Sequence, residues 1–262
     1  MVPSWQLAPS FPEMLLRSQL LQGCQQRKSM NVPMKIEPVN FDGVNIYPFT
    51  DLESCADFCV ASKGIAVSVN AEAILSKDDD FRKIINENIG YADGVGAVWA
   101  LRKKGIRQAK KIPGVELWLA VLRKLPGCKV YLVGATDEVI TKTVARLTGE
   151  IPSIEAAGFR NGYFSSPEEM GKLRDNIGRL KPDVVVIAMG QPAQEKLAKS
   201  LQEIHPALYL CVGGSFDVFS GIKRRAPKVF VKLQLEWLYR LLQDPRRWRR
   251  YVNLFRFLLK LI

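Results

Sequence analysis

Apolar residues fall along this chain in short unbroken runs separated by segments with helical spacing. The runs are Gly64–Val69 (GIAVSV), 129–135 (KVYLVGA), 154–158, 183–190 (DVVVIAMG) and 208–214 (LYLCVGG). Runs of this length, rich in valine and isoleucine and bounded by glycine, read as strands buried on both faces. Between them, 71–87, a stretch running through Lys104, then 113–125, 137–147, 167–180 and 194–203 read as helices. The segment 90–96 (GYADGVG) reads as a further strand with its turn. Strands alternating with helices predict a Rossmann-like α/β fold, a mostly parallel sheet with helices on both faces. In such a sheet ligands bind outside the carboxyl ends of the strands. That rule brings Ser68 and Asn70, Gly134 and Ala135, Gly190 and Gln191, and Gly213 and Gly214 together in space.

The pattern changes after residue 222. Lys228, Lys232, Glu236 and Arg240 recur every four residues behind Pro227, with large apolar residues between them, which predicts a helix of about four turns. Asp244-Pro245 breaks it. A second helix follows, in which Arg249, Asn253, Arg256 and Lys260 form a narrow polar stripe beside Trp248, Tyr251, Val252, Phe255, Leu258, Leu259 and Ile262. No uncharged run reaches the roughly 20 residues that cross a bilayer. Such a helix either lies on a membrane or packs on its own domain. The excess of arginine and aromatic residues over acids favours an anionic lipid surface. The expected organisation is a loosely ordered extension over 1–35, an α/β domain over 36–222 and a basic amphipathic helical appendage over 223–262.

Composition narrows the class. With 262 residues, 47% hydrophobic and 24% charged, the chain can bury one good core. The segment 223–262 holds twelve Lys and Arg against Glu236 and Asp244, and so carries ten of the net +12. Basic charge set among bulky hydrophobics, without a helix-turn-helix, zinc-finger or RNP pattern, argues against a nucleic-acid partner. Cys24, Cys55, Cys59, Cys128 and Cys211 are odd in number and include no CxxC pair, which points to a reducing, cytosolic compartment. Met14-Leu15-Leu16 runs straight into Arg17, too short for a signal peptide.

Candidate chemistry gathers at the strand ends. Gly134 to Thr136 and Gly213-Gly214-Ser215 are small-residue turns where backbone N–H groups approach a phosphate, or are turn chemistry alone. Neither is a GxGxxG or Walker sequence. His205 is the only histidine and precedes Pro206 at a turn, a structural position, so no His-based triad or metal cluster assembles and no cofactor is implied. Asp78-Asp79-Asp80 opens a helix and reads as charge on the helix dipole. Asp93, between Ala92 and Gly94, is either a turn aspartate or a carboxylate exposed beside a ligand.

Five motifs in order carry a resemblance: SVNAE (68–72), YADGVG (91–96), AMGQPAQE (188–195), VGGSFDVFSG (212–221) with RAP (225–227), and LEWLYRLLQDPRRWRR (235–250). Over about 39–250 the chain resembles the WecG/TagA/CpsF family of bacterial glycosyltransferases, glycosyltransferase family 26. The resemblance implies an inverting, metal-independent transfer from a UDP-sugar to a polyprenyl-diphosphate-linked sugar. It places the protein peripherally at the cytoplasmic face of the inner membrane and leaves homo-oligomerisation open. NAE in place of a TPN-type motif leans toward the branch that transfers N-acetylmannosaminuronic acid. Asp93 then matches the family's proposed general base, Ser68 and Asn70 its substrate-pocket polar pair, and Gln194 the glutamine of its PxQE motif. Arg240, Arg247 and Arg250 match three tail arginines that close the site. Lys111 stands where many relatives have arginine, so charge is kept and bidentate pairing is lost. With Gly134, Gly190, Gly213 and Gly214 from the turns, and Asp217 and Arg225 from the motifs, these residues form the expected substrate-binding set. The alternatives are another hexose donor such as UDP-glucose, and a non-catalytic membrane-surface protein that binds sugar nucleotides.

Inverting transfer needs one base to take the acceptor's hydroxyl proton, a role worth about 10² to 10⁴ in rate for a positioned carboxylate. It also needs the departing diphosphate stabilised. Without a metal, arginines and backbone N–H groups must grip the phosphates of the donor or of the acceptor. On this reading the first tail helix and the turn at Pro245 complete the site, and 248–262 meets lipid.

Overall fold

The computed structural model describes residues 36–223 and, beyond them, Pro227, Phe230, Tyr239, Leu241 and Phe257. A two-stranded antiparallel hairpin, β1 (Val39–Phe41) and β2 (Val44–Ile46), leads into α1 (Leu52–Ser62). Then β3 (Gly64–Val69) passes through α2 (Ala71–Leu75) and α3 (Asp79–Asn86) to β4 (Ile89–Ala92). Two helices, α4 (Val95–Lys103) and α5 (Gly114–Arg123), lead to β5 (Lys129–Gly134), followed by α6 (Asp137–Glu150), β6 (Glu155–Arg160) and α7 (Pro167–Leu180). The described core closes with β7 (Val184–Ala188), α8 (Ala193–Gln202), β8 (Leu208–Cys211) and α9 (Ser215–Phe219). Strands β3 to β8 form one sheet in the order β4-β3-β8-β7-β5-β6, every pair parallel. The Rossmann-like α/β architecture expected from the apolar runs is therefore present.

Alternate residues of each strand enter opposite layers, which is why the runs carry no polar face. Val67, Val69, Tyr131, Val133, Val185, Ile187, Tyr209 and Cys211 pack under α2, α3, α4, α7 and α8. Ala66, Val130, Leu132, Val184, Val186, Leu208 and Leu210 pack under α1, α5, α6 and α9, where Trp118 meets Phe216 and Phe219 edge-on. Helix α6, following β5, thus lies on one face, and α8, following β7, on the other. Because β5 and β7 are neighbours, the chain reverses direction between them and opens a crevice at their carboxyl ends.

Two local expectations change, over 71–87 and 90–96, and two hold, for the triple aspartate and His205. The stretch 71–87 is two helices: Ser76 Oγ accepts from Asp78 N (3.2 Å) and the Asp78 carboxylate from Phe81 N (3.0 Å), so a new N-cap interrupts the periodic run. Asp78 also pairs with Lys196 of α8 at 2.7 Å, and its neighbours fill the first turn of α3, so the triple aspartate caps and charges a helix. The segment 90–96 is strand only to Ala92, and Asp93 stands just past its end. His205 Nε2 meets the Pro182 carbonyl at 3.0 Å, a structural contact.

The extension 1–35 and most of 223–262 lie outside the described residues, and no described helix is long and apolar enough to cross a membrane. Phe257 is an informative exception. It is completely buried in the same layer as α2 and α4, 5.9 Å from the Phe41 ring and against Gly96. Within the segment expected to meet lipid, this residue instead belongs to the protein core, because a large aromatic gains more in a closed apolar slot than at an interface. Its neighbours lie outside the described residues.

Candidate functional site

The sequence-derived residues of the α/β domain converge at the carboxyl edge of the sheet, where three short networks tie the strand ends together. The first joins β3 to β7 across the intervening β8. Asn70 caps α2, its Oδ1 accepting from Ala73 N at 3.0 Å, while its Nδ2 donates to Gln191 Oε1 at 3.2 Å. Gln191 Nε2 in turn donates to the backbone oxygen of Ser68 and, at 3.3 Å, to its hydroxyl. Ser68 and Asn70 are thus brought together through Gln191, a residue that sequence reasoning noted as a strand-end position but did not place in the site.

The second network surrounds Asp93. Its backbone N–H donates to Val69 O at 2.9 Å, locking the end of β4 to that of β3. Gly94 follows with φ of +150°, and a Cβ there would stand 3.5 Å from that of Asn70. Gly114, the first residue of α5, presses on the same place: a Cβ would lie 3.0 Å from Tyr91 Oη and 3.4 Å from an Asp93 carboxylate oxygen. Tyr91 is buried, and its phenol is held well above its ordinary pKa, by burial first and by the Asp93 charge second. It stays a neutral donor, reaching Cys211 O at 3.5 Å. Lys111 is half-buried in the loop before α5, which is fastened by Lys110 N to Phe49 O (3.0 Å) and Ile112 N to Ala92 O (2.8 Å).

The third network ties together the turns after β7 and β8, on one side of the crevice. Gln194 is fully buried; its Oε1 accepts from Gly190 N at 3.2 Å and from Gly213 N at 2.9 Å, and its Nε2 donates to Glu195 Oε1 at 2.7 Å. One side chain thus holds together the turns after β7 and β8, and the Gly213 N–H expected to face a phosphate is engaged by Gln194. Across the crevice, Gly134 has φ of +140°, and a Cβ there would collide with Ala188 O. Gly162 N donates to Ala135 O at 2.9 Å, and a Cβ at 162 would meet Gly134 Cα and Met189 Cγ at 3.0 Å. Tyr163 therefore stands over this end of the sheet with its backbone pinned by Asn161 and Arg160, its side chain 65% exposed. Asp217 of α9 pairs with Lys223 at 3.0 Å and lies close to Gly214. Arg225, Arg240, Arg247 and Arg250 lie outside the described residues.

Tyr91, Gly114, Tyr163, Gln191 and Glu195 are the residues missed. Tyr91, Gln191 and Glu195 sit inside motifs already in view and Gly114 follows the proline that opens the predicted helix over 113–125, whereas Tyr163 carries no local signal and becomes visible only through packing. A surface depression bordered by Tyr47, Phe58, Lys63 and Lys199 lies at the opposite edge, near the amino ends of β3 and β4, and contains none of these groups. Among the described residues no cluster of three His, Cys, Asp or Glu side chains forms a metal site.

A parallel α/β sheet with a carboxylate, a buried amide network and glycine turns at its carboxyl edge defines a Rossmann-like protein, an architecture whose ligands sit at that edge. A family model described as the WecG/TagA/CpsF family of glycosyl transferases matches residues 37–262. The chain belongs to that family, and it is a glycosyltransferase.

Proposed function

We propose that the protein transfers an N-acetylmannosamine-type sugar, as ManNAcA or ManNAc, from a UDP donor to a polyprenyl-diphosphate-linked GlcNAc in surface polysaccharide synthesis. The transfer inverts the anomeric centre, needs no metal, and takes place at the cytoplasmic face of the inner membrane on a peripherally attached enzyme. The observation that carries this reading is the position of Asp93. Its half-buried carboxylate stands just past the end of β4, meeting the same face of Gly114 as the Tyr91 phenol, and the Gly94 that follows it packs against Asn70. Asp93 takes the proton of the acceptor hydroxyl as that oxygen attacks C1 of the donor. The C1–O bond to UDP breaks on the opposite face, and its electron pair leaves on the β-phosphate. The crevice between β5 and β7 suits the nucleotide, with the exposed Tyr163 ring available to stack on a base. Lys111 and the tail arginines Arg240, Arg247 and Arg250 are the cations of this scheme, and they grip the diphosphate of donor or acceptor.

The test is UDP release by purified protein given a panel of UDP-sugars and a soluble polyprenyl-diphosphate-GlcNAc analogue. UDP-ManNAcA or UDP-ManNAc should support turnover, and Asp93→Asn should lower kcat by about 10² to 10⁴ while UDP still binds. Turnover with UDP-glucose alone would move the donor assignment. Wild-type kcat in Asp93→Asn would remove Asp93 as the base, and no turnover with any donor would favour a sugar-nucleotide-binding protein.

A further inference from the structure

Glu195 is a costly residue for its position. It is completely buried, Oε1 accepts from Gln194 Nε2, and Oε2 has no hydrogen-bond partner. A half-satisfied buried carboxyl destabilises a fold, and an apolar residue of similar size would fill the space at lower cost. An acid in the first turn suits the helix dipole even at an exposed position, and the usual capping contact is closed to this one. It is the third residue of α8, from which a glutamate ordinarily reaches back to the N-cap N–H, but the N-cap here is Pro192, which has none.

What the carboxyl does is orient its neighbour. A carboxamide offers one acceptor and two donors, and the two ends of the Gln194 group face opposite demands. Gly190 N–H and Gly213 N–H both require an acceptor. Turned over, Gln194 would set its NH₂ against those two donors and its oxygen against the Glu195 carboxyl. The Glu195 acceptor penalises that state, so three hydrogen bonds stand or fall together. Other groups bear on the same place. Gln191 reaches toward the carboxyl from the turn after β7, the Cys211 thiol faces it from β8, and the next residue, Lys196, is already paired with Asp78 of α3.

We propose that Glu195 is a positioning residue: through Gln194 it fixes the spacing of the Gly190 and Gly213 turns, and so the shape of the nucleotide crevice. The ligand assignment rests on the proposed UDP-sugar reading, whereas the bracing itself is a property of the chain.

Two measurements test it, UDP affinity by calorimetry and the ¹H–¹⁵N resonances of Gly190 and Gly213. Glu195→Gln still offers Gln194 an acceptor and should keep the UDP Kd within about threefold, while Glu195→Leu removes it and should weaken UDP about 10- to 100-fold, with both glycine amides shifted. Gln194→Glu sets two buried carboxyls side by side and should weaken UDP comparably. Adding Glu195→Gln to it should restore binding, because the new carboxamide at 195 donates to the new carboxylate at 194. Unchanged glycine resonances and UDP affinity in Glu195→Leu would overturn the proposal, and so would equal losses in the Leu and Gln variants. If Glu195→Leu does not fold, the Gln194→Glu single and double variants decide, and failure of the double to recover counts against the brace. A wild type that binds no UDP would sink the functional reading, leaving the glycine resonances to decide this one.

Discussion

Glu195 also gives the fold a pH dependence. Burial disfavours its charged form and raises its pKa from 4.5 to about 7. Between those values the native chain holds a proton that the unfolded chain has released, so stability falls as pH rises through this window. The full cost above pH 7 is about 3 kcal/mol. Urea unfolding at pH 5 and pH 8 should therefore show wild type losing stability relative to Glu195→Gln, which carries no titrating proton. A difference between the two proteins that does not change with pH would show that Glu195 is already ionised in the native state. No residue count anticipates this, since AMGQPAQE reads as a turn followed by a helix start with an acid in a favourable place. The acid is unusual because Pro192 removes its usual partner and the side chain turns inward. The glycines show a similar gap between sequence and structure. Gly134 was legible as a residue that lets something approach closely, but the closest approach is Ala188 O of the next strand, and Gly213 N–H meets a glutamine oxygen.

At the scale of elements, continuous apolar runs announced β3, β5, β7 and β8, because a strand covered on both faces has no polar side to disguise it. The hairpin β1–β2 and helix α1 were not legible. Each hairpin strand spans only three residues, and α1 buries the small side chains Cys55, Ala56 and Cys59, which leave little periodic signal. The start of α5 matters most for the site, because Gly114 lets that helix sit against Tyr91 and Asp93. A methyl group there must push either the helix or the Tyr91 phenol, which shares this corner with the Asp93 carboxylate, by a few tenths of an ångström, and reacting groups tolerate little displacement. Gly114→Ala should lower kcat about tenfold or more while the melting temperature falls by only a few degrees. An unaffected kcat would mean that the end of β4 does not depend on α5 for its geometry.

On the scale of the whole molecule, the question is how the basic C-terminal segment relates to the body. Charge and amphipathicity admitted two answers, a helix on lipid or a helix on its own domain, and sequence alone favoured lipid. Phe257 supplies a fixed point for the second answer: its ring is inaccessible, beside Phe41 of the hairpin and against Gly96. Gly96 lies on α4, directly after the Asp93–Gly94 turn, so the far end of the chain packs within three residues of the candidate base. Removing this aromatic should therefore act on the protein in the absence of any membrane. Phe257→Ala leaves a cavity worth about 3–5 kcal/mol, which lowers the melting temperature by roughly 6–20 °C for a chain of this size. Deleting 251–262 should cost at least as much, measured in lipid-free buffer, and should depress turnover of a soluble acceptor. A pure lipid anchor makes the opposite forecast, with melting temperature and soluble-acceptor turnover unchanged and only sedimentation with anionic vesicles lost. The two outcomes separate on a single thermal melt, because a residue that contacts only lipid adds nothing to the stability of the protein in water.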